Sequence, residues 1–106
     1  MYFSASRERP LDMSEREVIS RSVEEVAAIG NDPYWIDEDP MRHPGQIFSG
    51  GLSLPYTAAA WDSIQRWSLL LTHIRQNVPG AEWLVSVDDH EIVWDEQLQA
   101  FDPTRE

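Results

Sequence analysis

The chain has 106 residues, with 19 Asp and Glu against eight basic residues, a formal net charge of −11 and no cysteine. This length supports one domain (residues 1–106) with one modest core, and the charge disfavours nucleic acid and anionic membranes as direct partners. The missing cysteine excludes disulfides, thiolate chemistry and cysteine-based zinc sites, and the absence of Lys excludes a lysine nucleophile.

Residues 1–13 read as a strand or arm followed by a turn at Pro10, and Met1-Tyr2-Phe3 is an apolar start that suits an edge strand. The segment carries charges at Arg7, Glu8, Arg9 and Asp12 and no apolar run, so no export signal is expected. No stretch approaches the roughly 20 apolar residues of a membrane span. A soluble cytoplasmic protein is the resulting expectation.

Residues 14–30 admit two readings. Ser14 with Glu17, or Ser22 with Glu25, matches a capping box. In one long helix, Ile19, Val23, Val26 and Gly30 share a face. In the alternative, Glu17–Arg21 is a strand and Val23–Ile29 a short helix, and the low helix propensity of Ser20 and Ser22 favours this break. Residues 31–46, with turn signals at Asn31-Asp32-Pro33, Asp39-Pro40 and Pro44-Gly45, read as an irregular loop around Tyr34, Trp35 and Ile36. Gln46–Ser49 reads as a short strand ended by Gly50-Gly51.

A helix over 58–78 is predicted most strongly. Ala60, Ile64, Trp67, Leu71, Ile74 and Val78 recur at helical spacing, Thr57 suits the N-cap, and Pro79-Gly80 stops the run. Residues 82–95 read as a β-hairpin turning at Asp88-Asp89 or, shifted by one residue, at Asp89-His90. The Asp88-Asp89 turn, taken first, pairs Val87 with His90, Val85 with Ile92 and Trp83 with Trp94, all on one face. The shifted turn would pair Val87 with Ile92 and Val85 with Trp94 and keep the same apolar set on one face. Leu98 and Phe101 follow as candidate anchors, then a tail. The predicted class is α+β: one long amphipathic helix and a shorter helix packed on a small antiparallel sheet containing a C-terminal hairpin.

Charge is arranged in blocks. Residues 22–40 carry six acids and no base, and residues 81–106 carry eight acids with Arg105 alone. Asp37-Glu38-Asp39 surrounds the aromatic Trp35, a pattern that suits an interface anchor with a charged rim. Asp88, Asp89 and Glu91 form a second acidic group at the hairpin. With His90 they are the densest set of metal-capable side chains, but neighbouring residues at a hairpin tip point in different directions and the spacing is not that of a calcium loop. Ser49-Gly50-Gly51-Leu52-Ser53 lacks a Lys and a full phosphate-loop pattern. No nucleophile elbow or other catalytic spacing is present. Neither enzymatic activity, a metal nor a cofactor is therefore expected.

The leading functional expectation is a small acidic inhibitory binding protein, of the kind exemplified by a bacterial immunity protein or antitoxin. Its partner would be a cationic, nuclease-like toxin, because enzymes that hold phosphates carry basic surfaces to which an acidic protein is steered. Trp35, Asp37, Glu38, Asp39, Asp88, Asp89 and Glu91 are the candidate contact residues. Two alternatives stand beside it: a phage-type inhibitor that mimics nucleic acid against a host defence complex, and a small enzyme or ligand-binding domain using a Trp-rich pocket and His90.

Overall fold

The N-terminal strand β1, Tyr2–Ser6, buries Phe3 and Ala5 on one side and organises the sheet around itself. The computed structural model describes residues 1–30, 33–37, 45–54, 57–88 and 90–103. Helix α1 is Met13–Gly30, strand β2 Tyr34–Asp37, strand β3 Gln46–Leu52 and helix α2 Ala59–Asn77. Strands β4, Glu82–Val87, and β5, His90–Glu91, complete a five-stranded antiparallel sheet in the order β2-β3-β1-β4-β5. Strands β6, Val93–Asp95, and β7, Ala100–Asp102, form a separate C-terminal hairpin. The class is α+β, with two helices packed on an antiparallel sheet.

Three sequence expectations change here. β1 is the central strand, not an edge, because Phe3 and Ala5 alternate inward and both flanking strands pair with it. Residues 34–37 within the expected irregular loop form β2, whose inward side chains extend the core. Strand β3 does not stop at Gly50-Gly51 but continues to Leu52. Small residues are needed there. A Cβ on Gly50 would collide with the Trp35 carbonyl oxygen and come within 2.9 Å of Ile36 Cδ1. The same amides pair in the sheet, so they do not form an anion cradle. Gly50→Ala is expected to cost about 1–3 kcal/mol by overpacking. Urea denaturation checks this, and an unchanged midpoint would contradict the close approach.

Residues 13–30 form one helix, not a strand and a helix. Its capping box is Asp12 with Glu15, not either serine pair: Glu15 N donates to Asp12 Oδ1 at 2.8 Å and Asp12 N to Glu15 Oε1 at 3.0 Å. Ile19 and Val23 are buried, and an exposed Glu17–Arg21 pair spans one turn beside Ser20. Packing of the apolar stripe thus overrides the serine propensities. In α2, Trp67, Leu71 and Ile74 of the predicted stripe are buried, as is Val78 at the C-cap, while Ile64 packs partly buried against them. The Thr57 hydroxyl accepts from Ala59 N at 3.2 Å. Trp67 stacks on Phe3 at 5.9 Å and meets the Tyr34 ring at a tilt, 5.7 Å away, which fixes the side of the sheet that α2 covers.

The expected hairpin forms only in part. Val87 pairs with His90, and Ile92 N donates to Val85 O at 2.8 Å, as the Asp88-Asp89 turn requires. Trp94 does not pair with Trp83. It pairs with Phe101, meeting that ring edge-on at 5.2 Å, while Trp83 meets the same ring at 5.9 Å. Phe101 N also donates to the buried Thr72 hydroxyl at 3.0 Å, holding the β6–β7 hairpin on α2. Phe101 is therefore an anchor, whereas Leu98 in the connecting turn is 66% exposed and is not.

One ion pair ties the ends of these elements together. Arg7 donates two hydrogen bonds to Glu15, at 2.8 and 2.9 Å, and further bonds to the carbonyls of Arg9, Pro10 and Pro79. Both side chains of the pair are almost fully buried. Hydrogen bonding to Arg7, then to the Asp12 amide, lowers the Glu15 carboxyl from its ordinary 4.5 to about 2.

Candidate partner-binding surface

One side of the sheet is turned to α2, and the other, here called the open side, is covered by neither helix among the described residues. Strand pairing runs a single row across the open side: Trp35 of β2, Gly51 of β3, Tyr2 of β1, Ser86 of β4 and Glu91 of β5. Alternation puts these five residues on the opposite side from Phe3, Phe48 and Val85. The row therefore joins the leading aromatic candidate to one of the hairpin acids. They sit at opposite edges of the sheet, four strand spacings or about 19 Å apart.

Trp35 is positioned by what lies beneath it. A Cβ on Gly51 would lie 3.0 Å from Trp35 Cζ2 and 3.1 Å from Cε2, so the indole lies across the bare glycine. Its ring centroid is 6.2 Å from that of Tyr2. Trp35 nevertheless remains 52% exposed, and Tyr2 and Leu84 on the same side are also exposed. A large indole held against backbone and left half in water is preorganised for contact, since little side-chain freedom remains to be lost on binding.

The acidic candidates distribute around this surface unevenly. Glu91 and Glu82 are exposed and alternate onto the open side. Asp37 ends β2 opposite Ser49. Asp88 occupies the turn with φ +53°, the left-handed conformation that Asp tolerates, and lies near enough to the Met1 ammonium to offset in part the lowering of its pKa by burial. Glu38, Asp39 and Asp89 lie outside the described residues. Of these segments, the described strands Tyr34–Asp37 and His90–Glu91 form opposite edges of the one sheet.

His90 and Glu91 of the metal-capable set diverge. His90 pairs with Val87 and points to the α2 side, whereas Glu91 pairs with Ser86 and points to the open side. Among the described residues no group of three His, Asp or Glu is placed to hold a metal ion. No described helix is long and apolar enough to cross a membrane.

Sequence reasoning missed Tyr2 and Gly51 as parts of this surface. The available signal was alternation in Tyr2–Ser6, which separates Tyr2 from Phe3. Gly51 gave no signal, because a glycine pair between apolar segments reads first as a strand end. No protein-family model, curated protein or solved structure matches this chain, so its own residues carry the functional reading.

Proposed function

We propose that this chain is a small acidic inhibitory binding protein that neutralises a cationic, nuclease-like protein by direct contact, as an immunity protein or antitoxin does. It acts in the cytoplasm, catalyses no reaction and needs no cofactor. The observation that carries the reading is the row from Trp35 to Glu91 on the sheet side that no described helix covers, in a chain of net charge −11. Trp35 serves as the anchor, with Tyr2 beside it. Glu82, Glu91 and the acids of the 37–39 segment steer and orient a basic surface.

The test begins with capture from host extract, using wild-type protein and the double variant Trp35→Ala, Glu91→Arg. A captured protein is then purified, and its nucleic-acid cleavage is assayed with each form added. The expected result is a basic partner inhibited at one-to-one stoichiometry by wild type. Trp35→Ala alone should raise the dissociation rate about 30-fold, the kinetic equivalent of a 2 kcal/mol anchor, while changing folding stability by no more than about 1 kcal/mol. An acidic partner, or equal affinity for both forms, would contradict the proposal.

A further inference from the structure

On the α2 side of the β5 edge lies a groove of about 470 Å³, within the range of pockets that take small ligands and side chains. Trp61 and Ile64 of α2 line it from one side, and Val87 and Ile92 from the other, with Pro103 adding further apolar surface. Trp61 lies outside the buried core and is 42% exposed. Among the described lining residues, Asp88 carries the one carboxylate, and His90 is the other polar group.

Apolar walls, an accessible indole and a carboxylate together select an occupant with an apolar stem and a cationic head. A guanidinium fits this set better than an ammonium, because its plane stacks on an indole while its edge donates two parallel hydrogen bonds to a carboxylate. The chain contains an internal instance of the first contact, with the Arg75 guanidinium carbon 4.2 Å from the Trp94 ring centroid. We infer that the groove receives an arginine side chain of the cationic protein partner, Trp61 stacking on the guanidinium and Asp88 accepting its hydrogen bonds. This inference rests on the reading of the partner as a cationic protein, and it adds a second contact around the β5 edge from Glu91.

The test needs no partner in hand. N-acetyl-L-arginine N-methylamide is titrated into the full chain while the Trp61 indole N–H resonance, assigned through Trp61→Phe, is followed by NMR. The corresponding citrulline and norleucine amides serve as uncharged comparators. Saturable shifts at Trp61, Val87 and Ile92 are expected, with the arginine amide binding about tenfold more tightly than either comparator. Asp88→Asn, which keeps the left-handed turn accessible, should remove that preference, whereas Trp35→Ala should leave it intact. Equal binding of the three amides, an absence of shifts in the groove, or an unchanged preference in Asp88→Asn would overturn the inference. Any of those results alongside Trp35-dependent capture of a basic protein would leave the sheet-side proposal standing. Arginine-selective binding together with capture of a basic protein that Trp35→Ala does not weaken would instead remove the sheet-side proposal alone.

Discussion

Replacing Trp67 by Ala is expected to destabilise the protein by about 3–5 kcal/mol. The side chain is fully buried, stacks on Phe3 of the central strand and meets the tilted ring of Tyr34 in the edge strand β2. Removing it takes away the transfer free energy of the largest core side chain and leaves a cavity that two rings on different strands cannot both collapse into. A domain of this size has a total stability on the order of 5–15 kcal/mol, so the variant would be marginal. Urea denaturation followed by far-UV circular dichroism reads the change as a lower midpoint at constant slope. A loss below about 1 kcal/mol would remove Trp67 from the core and, with it, the assignment of the covered side of the sheet. The effect should reach the candidate surface too, because Tyr34 precedes Trp35 in the strand that Trp67 supports.

The second large effect is expected at Arg7. Arg7→Ala should cost about 3–5 kcal/mol, because it leaves the Glu15 carboxylate buried without its main partner. Removing both charges, in Arg7→Met with Glu15→Leu, should cost less than the single change, since no unpaired charge then remains. The pair also sets a pH dependence. The folded-state pKa of Glu15 is depressed, so its contribution is fully present above the ordinary 4.5 and is lost as pH falls through that value towards about 2. Stability measured between pH 5 and pH 2, points chosen to bracket that window, should fall more steeply in wild type than in Arg7→Ala. Parallel curves would show that Arg7 is not what holds the carboxylate ionised.

The parts of this fold that were legible from sequence are those where one period dominates. The α2 stripe repeats over five intervals, and tertiary packing reinforces it at Trp67, Leu71 and Ile74. The turn at Asp88 was legible because its chemistry is local. Residues 14–30 were not, because Ser20 and Ser22 lower intrinsic helicity whereas Ile19 and Val23 gain their burial only once α2 is in place. The capping box was missed for a related reason. Its acceptor is Asp12 rather than a serine, and its Glu15 is held by Arg7, which lies outside the helix eight residues upstream. The exchange of Trp94 from Trp83 to Phe101 comes with a long-range bond from Phe101 N to the Thr72 hydroxyl, which no local pattern in the hairpin reveals.

The candidate surface was legible residue by residue and not as an arrangement. Trp35 and Glu91 each stood out, one as an aromatic among acids and the other as part of an acidic hairpin. Their place in one row follows from sheet order, and β3 and β1 come between β2 and β4 only through long-range pairing. Gly51 makes the row continuous by leaving room for the Trp35 indole, a role visible only when the strands are side by side.

The central claim is that this side of the sheet meets a cationic protein under electrostatic steering, and stopped-flow association kinetics with the purified partner test it most directly. Between about 0.01 and 0.15 M salt the screening length shrinks from about 30 to about 8 Å. Association of the wild-type chain should slow steeply across that range while dissociation changes little. Glu91→Arg should slow association at low salt, and Trp35→Ala should act on dissociation instead. Salt-insensitive association, together with unchanged affinity in both variants, would contradict the account and place the contact on another surface of the molecule.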